Sequence, residues 1–163
     1  MKILIAYYSR TGTTKKVALE IANKLGAEVE EIKDTVSRSG IKGYLVSGRD
    51  AMQKKLTVLE PSEKNPTDFD LVIIGTPIWG WNMSTPVRTY ITEQKNNFQK
   101  AAFFCTMDGS GDDKAFAEME QIIGQKPLAT LALLTRDVAK NDFAEELEKF
   151  ISDINSKISD HEN

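Results

Sequence analysis

Residues 2–14, KILIAYYSRTGTT, constrain the fold more than any other stretch of the 163-residue chain. Ile3 to Tyr8 is an unbroken apolar run whose length and Ile and Tyr content suit a strand covered on both faces. Ser9-Arg10-Thr11-Gly12-Thr13-Thr14 follows, with four hydroxyls and one glycine in six positions. The apolar period then changes: Val17, Ala18, Ile21, Ala22 and Leu25 share one helical face. A strand, a hydroxyl-rich turn and a helix aim loop N–H groups and a helix N-terminus at one point, and such a point attracts an anion such as phosphate. Capping by Thr13 alone would need one hydroxyl, not four.

The rest of the chain narrows the chemistry. Its length and ordinary composition predict one domain over 1–163, with a frayed tail at 159–163. With 24 acidic against 21 basic residues, the net charge of -3 argues against a nucleic-acid surface. No apolar run approaches the roughly 20 residues of a membrane span, and the start lacks the pattern of a secretory signal. The single cysteine, Cys105, fits a reducing, cytoplasmic setting and reads as a buried inert thiol. The single histidine, His161, lies in the polar tail, which removes histidine-based hydrolases and leaves nothing for a zinc site. Chemistry in this chain is therefore expected to belong to a bound cofactor.

In chain order, AEVEEI (27–32) predicts a second strand after Gly26 ends the first helix. Ile41, Tyr44, Leu45, Met52 and Leu56 suggest an amphipathic helix interrupted by Gly43 and Gly48, and Pro61 and Pro66 bracket a polar linker. DLVIIG (70–75) predicts a third strand, then a long loop from Thr76 to Ser84, and a helix capped by Thr85 with Pro86 at its first position. AAFFCT (101–106) predicts a fourth strand, followed by the loop Met107-Asp108-Gly109-Ser110-Gly111-Asp112 and a helix ending at Gly124. LATLALL (128–134) predicts a fifth strand. The last helix carries Phe143, Leu147, Phe150, Ile151, Ile154 and Ile158, with Asp142 and Glu145 as a capping pair. Five apolar strands alternating with helices predict an α/β fold with a doubly wound five-stranded parallel sheet, covered on both faces. The loops after strands one, three and four then gather at one sheet edge, where such sheets bind ligands.

The Walker pattern and the GxGxxG fingerprint are both absent, so a monophosphate suits the first loop better than a nucleotide triphosphate or a dinucleotide. Trp79 and Trp81 flank Gly80 in the second loop, where a planar aromatic ligand explains them better than core packing.

Strand-SRTGTT-helix, the Trp79-Gly80 loop and the MDGSGD loop together resemble a flavodoxin of the short-chain branch, over essentially the whole chain. The resemblance implies the strand order 2-1-3-4-5 and FMN at the switch point, flavodoxin being the illustration commonly given of that arrangement. It implies that Ser9, Arg10, Thr11, Gly12, Thr13 and Thr14 hold the FMN phosphate, and that Thr76, Pro77, Ile78, Trp79 and Gly80 border the ring, with Trp79 stacked on it. Gly80 would turn its carbonyl toward flavin N5, favouring a neutral semiquinone and separating two one-electron steps. Thr106, Met107, Asp108, Gly109 and Gly111 would wrap the pyrimidine side. The loop after strand four has no aromatic residue, leaving Met107 or Trp81 for the second ring face. Arg10 and the mild acidity set this chain apart from strongly acidic carriers.

Three functions stay open at this stage. The first is an electron carrier that docks transiently with protein redox partners. The second is an NAD(P)H:quinone or FMN oxidoreductase, suggested by the Thr-Pro…Pro-Val-Arg pattern in TPIWGWNMSTPVRTYI. The third is a binding domain without flavin.

Overall fold

The computed structural model describes the backbone of residues 1–162 and the side chains of residues 1–159; within the tail expected to fray, the backbone is helical to Glu162, and the side chain of His161 lies outside the described residues. The first strand β1 (Ile3–Tyr7) leads through the hydroxyl-rich loop into α1 (Thr13–Leu25) and β2 (Glu28–Glu31). Helix α2 (Gly40–Met52) follows, then a 3-10 turn at Pro66–Asp68, β3 (Leu71–Trp79) and the short β4 (Asn82–Met83). The chain continues through α3 (Thr85–Gln94), β5 (Ala101–Met107), α4 (Asp112–Ile123), β6 (Thr130–Leu134), α5 (Thr135–Lys140) and α6 (Ala144–Glu162).

The parallel strands lie in the order β2-β1-β3-β5-β6, while β4 pairs only with β3, antiparallel. Counted by parallel strands alone, this is the expected 2-1-3-4-5. Alternation along β1 divides the core into two layers. Ile3, Ile5 and Tyr7 join Val17, Ala18 and Ile21 of α1, Val138 of α5 and Leu147, Phe150 and Ile154 of α6 on one face. Leu4 and Ala6 join Val87 and Ile91 of α3 and Ala115 and Met119 of α4 on the other. At the sheet's outer edge, β2 carries Glu28, Glu30 and Glu31 around Val29.

Four local expectations are corrected. The loop predicted over 76–84 is a strand extension and a two-residue hairpin, because β3 runs on to Trp79 and Trp79 pairs with Asn82. Ser84, not Thr85, occupies the cap position of α3, with Pro86 in the first turn. The last helical stretch is preceded by α5, closed by Asn141 in the left-handed region; α6 begins only at Ala144, two residues after Asp142. Gly43 and Gly48 do not interrupt α2, and of its apolar residues Ala51 joins the core while Ile41, Tyr44, Leu45 and Met52 do not. Its buried residues are Gly43, Ser47, Asp50 and Ala51, whereas Ile41 is 82% exposed and Tyr44, Leu45 and Met52 are also exposed.

Candidate functional site

The loops after β1, β3 and β5 meet at one sheet edge and, with α2, enclose a cavity of about 660 Å³. This is within the usual range for small-molecule sites, about 300–1,000 Å³. Of the residues singled out from the sequence, Arg10, Thr11, Thr13, Thr14, Pro77, Ile78, Trp79, Gly80, Thr106, Met107 and Asp108 line it. Tyr44, Leu45, Gly48, Arg49 and Met52 add the 43–52 segment, which the resemblance places near the ligand edge without naming a role for any residue, and Gln53 and Thr135, singled out by no sequence signal, complete the lining.

The β1–α1 loop is arranged as an anion cradle. Gly12 caps α1 with φ 94°, and its N–H donates to Ser9 Oγ at 3.1 Å, so Ser9 shapes the turn instead of facing the cavity. The first intrahelical bond runs from Lys16 N–H to Gly12 O at 3.0 Å, leaving the N–H groups of Thr13, Thr14 and Lys15 without acceptors in the helix. The Thr11 and Thr13 hydroxyls stand 3.4 Å apart at the open side. Thr14 is buried, and its hydroxyl bonds that of Thr106 at 2.8 Å, tying the loop after β1 to the end of β5. Lys15 and Lys16 are engaged elsewhere, with Glu31 at 2.7 Å and Val138 O at 2.8 Å.

Trp79 is only 9% exposed. Its ring meets Tyr8 edge-on at 5.5 Å and lies 5.7 Å below the Arg38 guanidinium. Trp81, at the hairpin tip, is 60% exposed. A side chain on Gly80 would run into Met52 Cγ at 2.5 Å, so the hairpin and α2 touch at the cavity rim. Gly111 serves the same purpose behind the tip, where a Cβ would come within 2.8 Å of Trp81 Cα. Thr76 faces away from the cavity, buried and bonded to Ser84 N–H at 2.9 Å and to Pro77 O at 2.9 Å. Gly109 is likewise absent from the lining.

Helix α2 is held by charge. Arg38, 4% exposed, donates to Asp34 at 2.5 Å and to Asp50 at 3.3 Å. A Cβ on Gly43 would lie 2.2 Å from the Arg38 carbonyl carbon, so the helix rests directly on that backbone. Burial pushes the Asp50 carboxyl up, but hydrogen bonds from Arg49, Arg38 and Lys55 outweigh it and hold it below the usual carboxylate range. The same balance, with burial opposed by Lys54 and Arg88, lowers Glu118 on α4. Anchored in this way, α2 directs Tyr44, Leu45 and Met52 toward the cavity, and Arg10 reaches across to stack on Tyr44 at 5.2 Å.

Among the described residues that line the cavity, Asp108 is the single carboxylate, against Arg10 and Arg49. No nucleophile–base pair is present in that lining, and no group of three or more His, Cys, Asp or Glu among the described residues could hold a metal. Burial pushes the Cys105 thiol up, as suits an inert core residue. The arrangement can bind a flat apolar body with an anionic end. No helix among the described residues is long and apolar enough to cross a membrane.

The flavodoxin family profile, described as Flavodoxin, matches residues 2–150. No curated protein matches. A flavoprotein from Lactobacillus acidophilus NCFM, solved in complex with FMN, is 26% identical with a TM-score of 0.70, over 85% of this chain and 97% of that one. A flavodoxin from the domain Archaea aligns over 96% of this chain and 98% of its own at 17% identity and a TM-score of 0.56. An NADH:FMN oxidoreductase, in its apo form, aligns over 96% and 88% at 12% identity and a TM-score of 0.56.

Proposed function

The chain belongs to the flavodoxin family, and on that premise we propose that its cavity holds FMN and that the loaded protein carries single electrons between protein partners. One observation carries the reading: an anion cradle and an apolar slot share one continuous space. Thr11, Thr13, Thr14 and the free N–H groups of α1 suit a phosphate dianion, with Arg10 adding charge. Trp79, Ile78 and Met107 offer apolar surface from the sheet side. Tyr44, Leu45 and Met52 offer it from α2, which supplies the aromatic residue that the loop after β5 lacks. When bound, FMN supplies the redox chemistry; the chain binds it, orients it and excludes water from it. A cytoplasmic location and transient docking partners belong to the same reading.

Titration of the apo-protein with FMN, followed by flavin fluorescence, tests it. Tight binding of FMN and much weaker binding of riboflavin, which lacks the phosphate, is expected; equal binding of the two sinks the cradle. Anaerobic potentiometry then separates carrier from enzyme, since two resolved one-electron steps support the carrier and one two-electron step opposes it.

The second reading, an NAD(P)H:quinone or FMN oxidoreductase, is favoured by Arg10 and Arg49 at the cavity, which suit the pyrophosphate of a nicotinamide nucleotide. The Pro-Val-Arg segment lends it nothing, because Arg88 is buried and bonded to Glu118 at 2.7 Å. Sustained NAD(P)H oxidation by the loaded protein would establish this reading over the first.

A further inference from the structure

A second cavity, of about 520 Å³, lies at the β2 edge of the sheet and shares no lining residue with the first. Its size is again within the usual range for small-molecule sites, about 300–1,000 Å³. Strand β2, the 59–64 segment and residues of α1 and α3 form its walls.

Two of the lining residues, Glu30 and Tyr90, each carry a buried oxygen with no hydrogen-bond partner among the described residues: Glu30 Oε2 and the Tyr90 hydroxyl. Glu30 is 9% exposed and Tyr90 3%. Both side chains belong to one side of the sheet. Glu30 pairs in register with Ala6, and Ala6 packs in the core layer that holds Tyr90, so strand alternation sends the Glu30 carboxylate to that side. Burial, and after it the Glu30 charge, pushes the Tyr90 hydroxyl up, which puts the two groups within electrostatic reach of each other.

The other oxygen of Glu30 is fully used. Oε1 accepts from Ser62 Oγ at 2.6 Å, Glu63 N–H at 2.7 Å and Lys64 N–H at 3.2 Å. Holding the 62–64 segment therefore accounts for Oε1 and leaves Oε2 without a role. A buried polar group in that state costs about 1–3 kcal/mol, and more when charged. Two of them in one cavity wall call for a ligand that donates to both.

The lining narrows the donor. It carries five glutamates, Glu30, Glu31, Glu60, Glu63 and Glu93, against three lysines. Lys15 is paired with Glu31, and Lys64 reaches out of the lining to Glu28. An anion would meet that surplus of like charge, and a neutral acceptor would leave Glu30 Oε2 as it is. A primary ammonium has three N–H groups and can donate to the carboxylate and the phenol at once. Leu19, Val29, Leu59 and Pro61 add apolar surface for a carbon body attached to it.

We propose that this cavity is a second ligand site, for a small organic cation with a primary ammonium head and a short apolar body, whose head is received by Glu30 Oε2 and the Tyr90 hydroxyl. The site stands independently of the FMN reading.

NMR amide shifts of the isotope-labelled full chain, titrated with benzylammonium chloride at neutral pH, test it. Saturable shifts centred on Glu63 and Lys64 are expected. Benzyl alcohol, which has no charge, and benzyltrimethylammonium, which has no N–H, should bind at least about tenfold more weakly. Glu30→Gln keeps an oxygen for the 62–64 segment and loses the charged acceptor, so it should weaken benzylammonium binding about ten- to a hundredfold. Tyr90→Phe removes one neutral hydrogen-bonding group and should weaken binding about two- to tenfold. Its melting temperature should be unchanged or raised, because an unpartnered buried hydroxyl has gone, so this variant keeps the test valid if the first disturbs the 62–64 segment. Absence of saturable shifts, equal binding of either analogue, or an affinity unchanged in both variants overturns the site and leaves the two oxygens to ordered water.

Discussion

One wall of the cavity, β1 through α1, packs Val17, Ala18 and Ile21 against the sheet and leaves hydroxyls and N–H groups at its tip. The other wall, α2, packs Gly43, Ser47, Asp50 and Ala51 inward and turns Tyr44, Leu45 and Met52 toward the cavity. The first wall gains its stability from apolar burial, which survives whether or not a ligand is present. The second is anchored by buried ion pairs around Arg38, and its apolar surface is left for a ligand to cover. A site of this kind is half prebuilt, and its second half is completed by what it binds.

The largest effect that would break this contrast is at the anchor. Arg38→Ala leaves the Asp34 and Asp50 carboxylates without their shared cation and should lower stability by about 3–5 kcal/mol in urea unfolding. Lys15→Ala, which removes an exposed pair with Glu31 on the first wall, should lower it by less than about 1 kcal/mol. Equal losses would mean that the walls do not differ. Next in size is the ligand's own contribution: FMN at 100 times its Kd should stabilise the fold by about 2.7 kcal/mol. Hydrogen exchange should place the gain in 40–52 more than in 13–25, and protection spread evenly over both helices would count against α2 as the ligand-completed wall.

Thr13→Val sharpens the contrast from the other side. It should weaken FMN binding about ten- to a hundredfold, the worth of about one hydrogen bond to a charged group, and leave riboflavin binding and the melting temperature unchanged. A parallel drop for riboflavin would show that Thr13 serves packing. The smallest effect is that of acid. Asp50 and Glu118 titrate below their unfolded values, so they contribute stability that is complete above about pH 5 and is lost as pH falls through about 4 and below. Protection of the amides over 40–52, taken relative to unstructured peptide at the same pH, should therefore fall on acidification before that over 13–25. The reverse order would move the acid-sensitive contact away from α2.

The parallel sheet was legible because its strands are apolar runs with little else to become, and the cradle because Ser9 to Thr14 has no equal elsewhere in the chain. The hairpin was not legible. Gly80-Trp81 lacks the Asn-Gly or Asp-Gly signature, and Ile78 and Trp79 extend a strand whose apolar run stops in the sequence at Gly75. Helix α5 is six residues long, too short for a period to show. In α2 the helical period was correctly read, but a period identifies a face without saying what lies opposite it. Gly43, Ser47 and Ala51, small residues spaced four apart, were the available sign that the close-packed side lay elsewhere. Tyr44, Leu45 and Met52 carry no role in their residue types, because a ligand-facing stripe and a core stripe have the same composition.

The glutamates of β2 bear on what happens beyond a single molecule. A rim of unpaired peptide groups is a place where a second copy could add on, and repeated addition builds fibrils. Here that rim is occupied from within the same chain: Ser62 Oγ and the N–H groups of Glu63 and Lys64 donate to the buried Glu30 carboxylate, while Glu28 and Glu31 are paired with Lys64 and Lys15. The strand nearest to open solvent on that side is thereby made a poor template for its own kind.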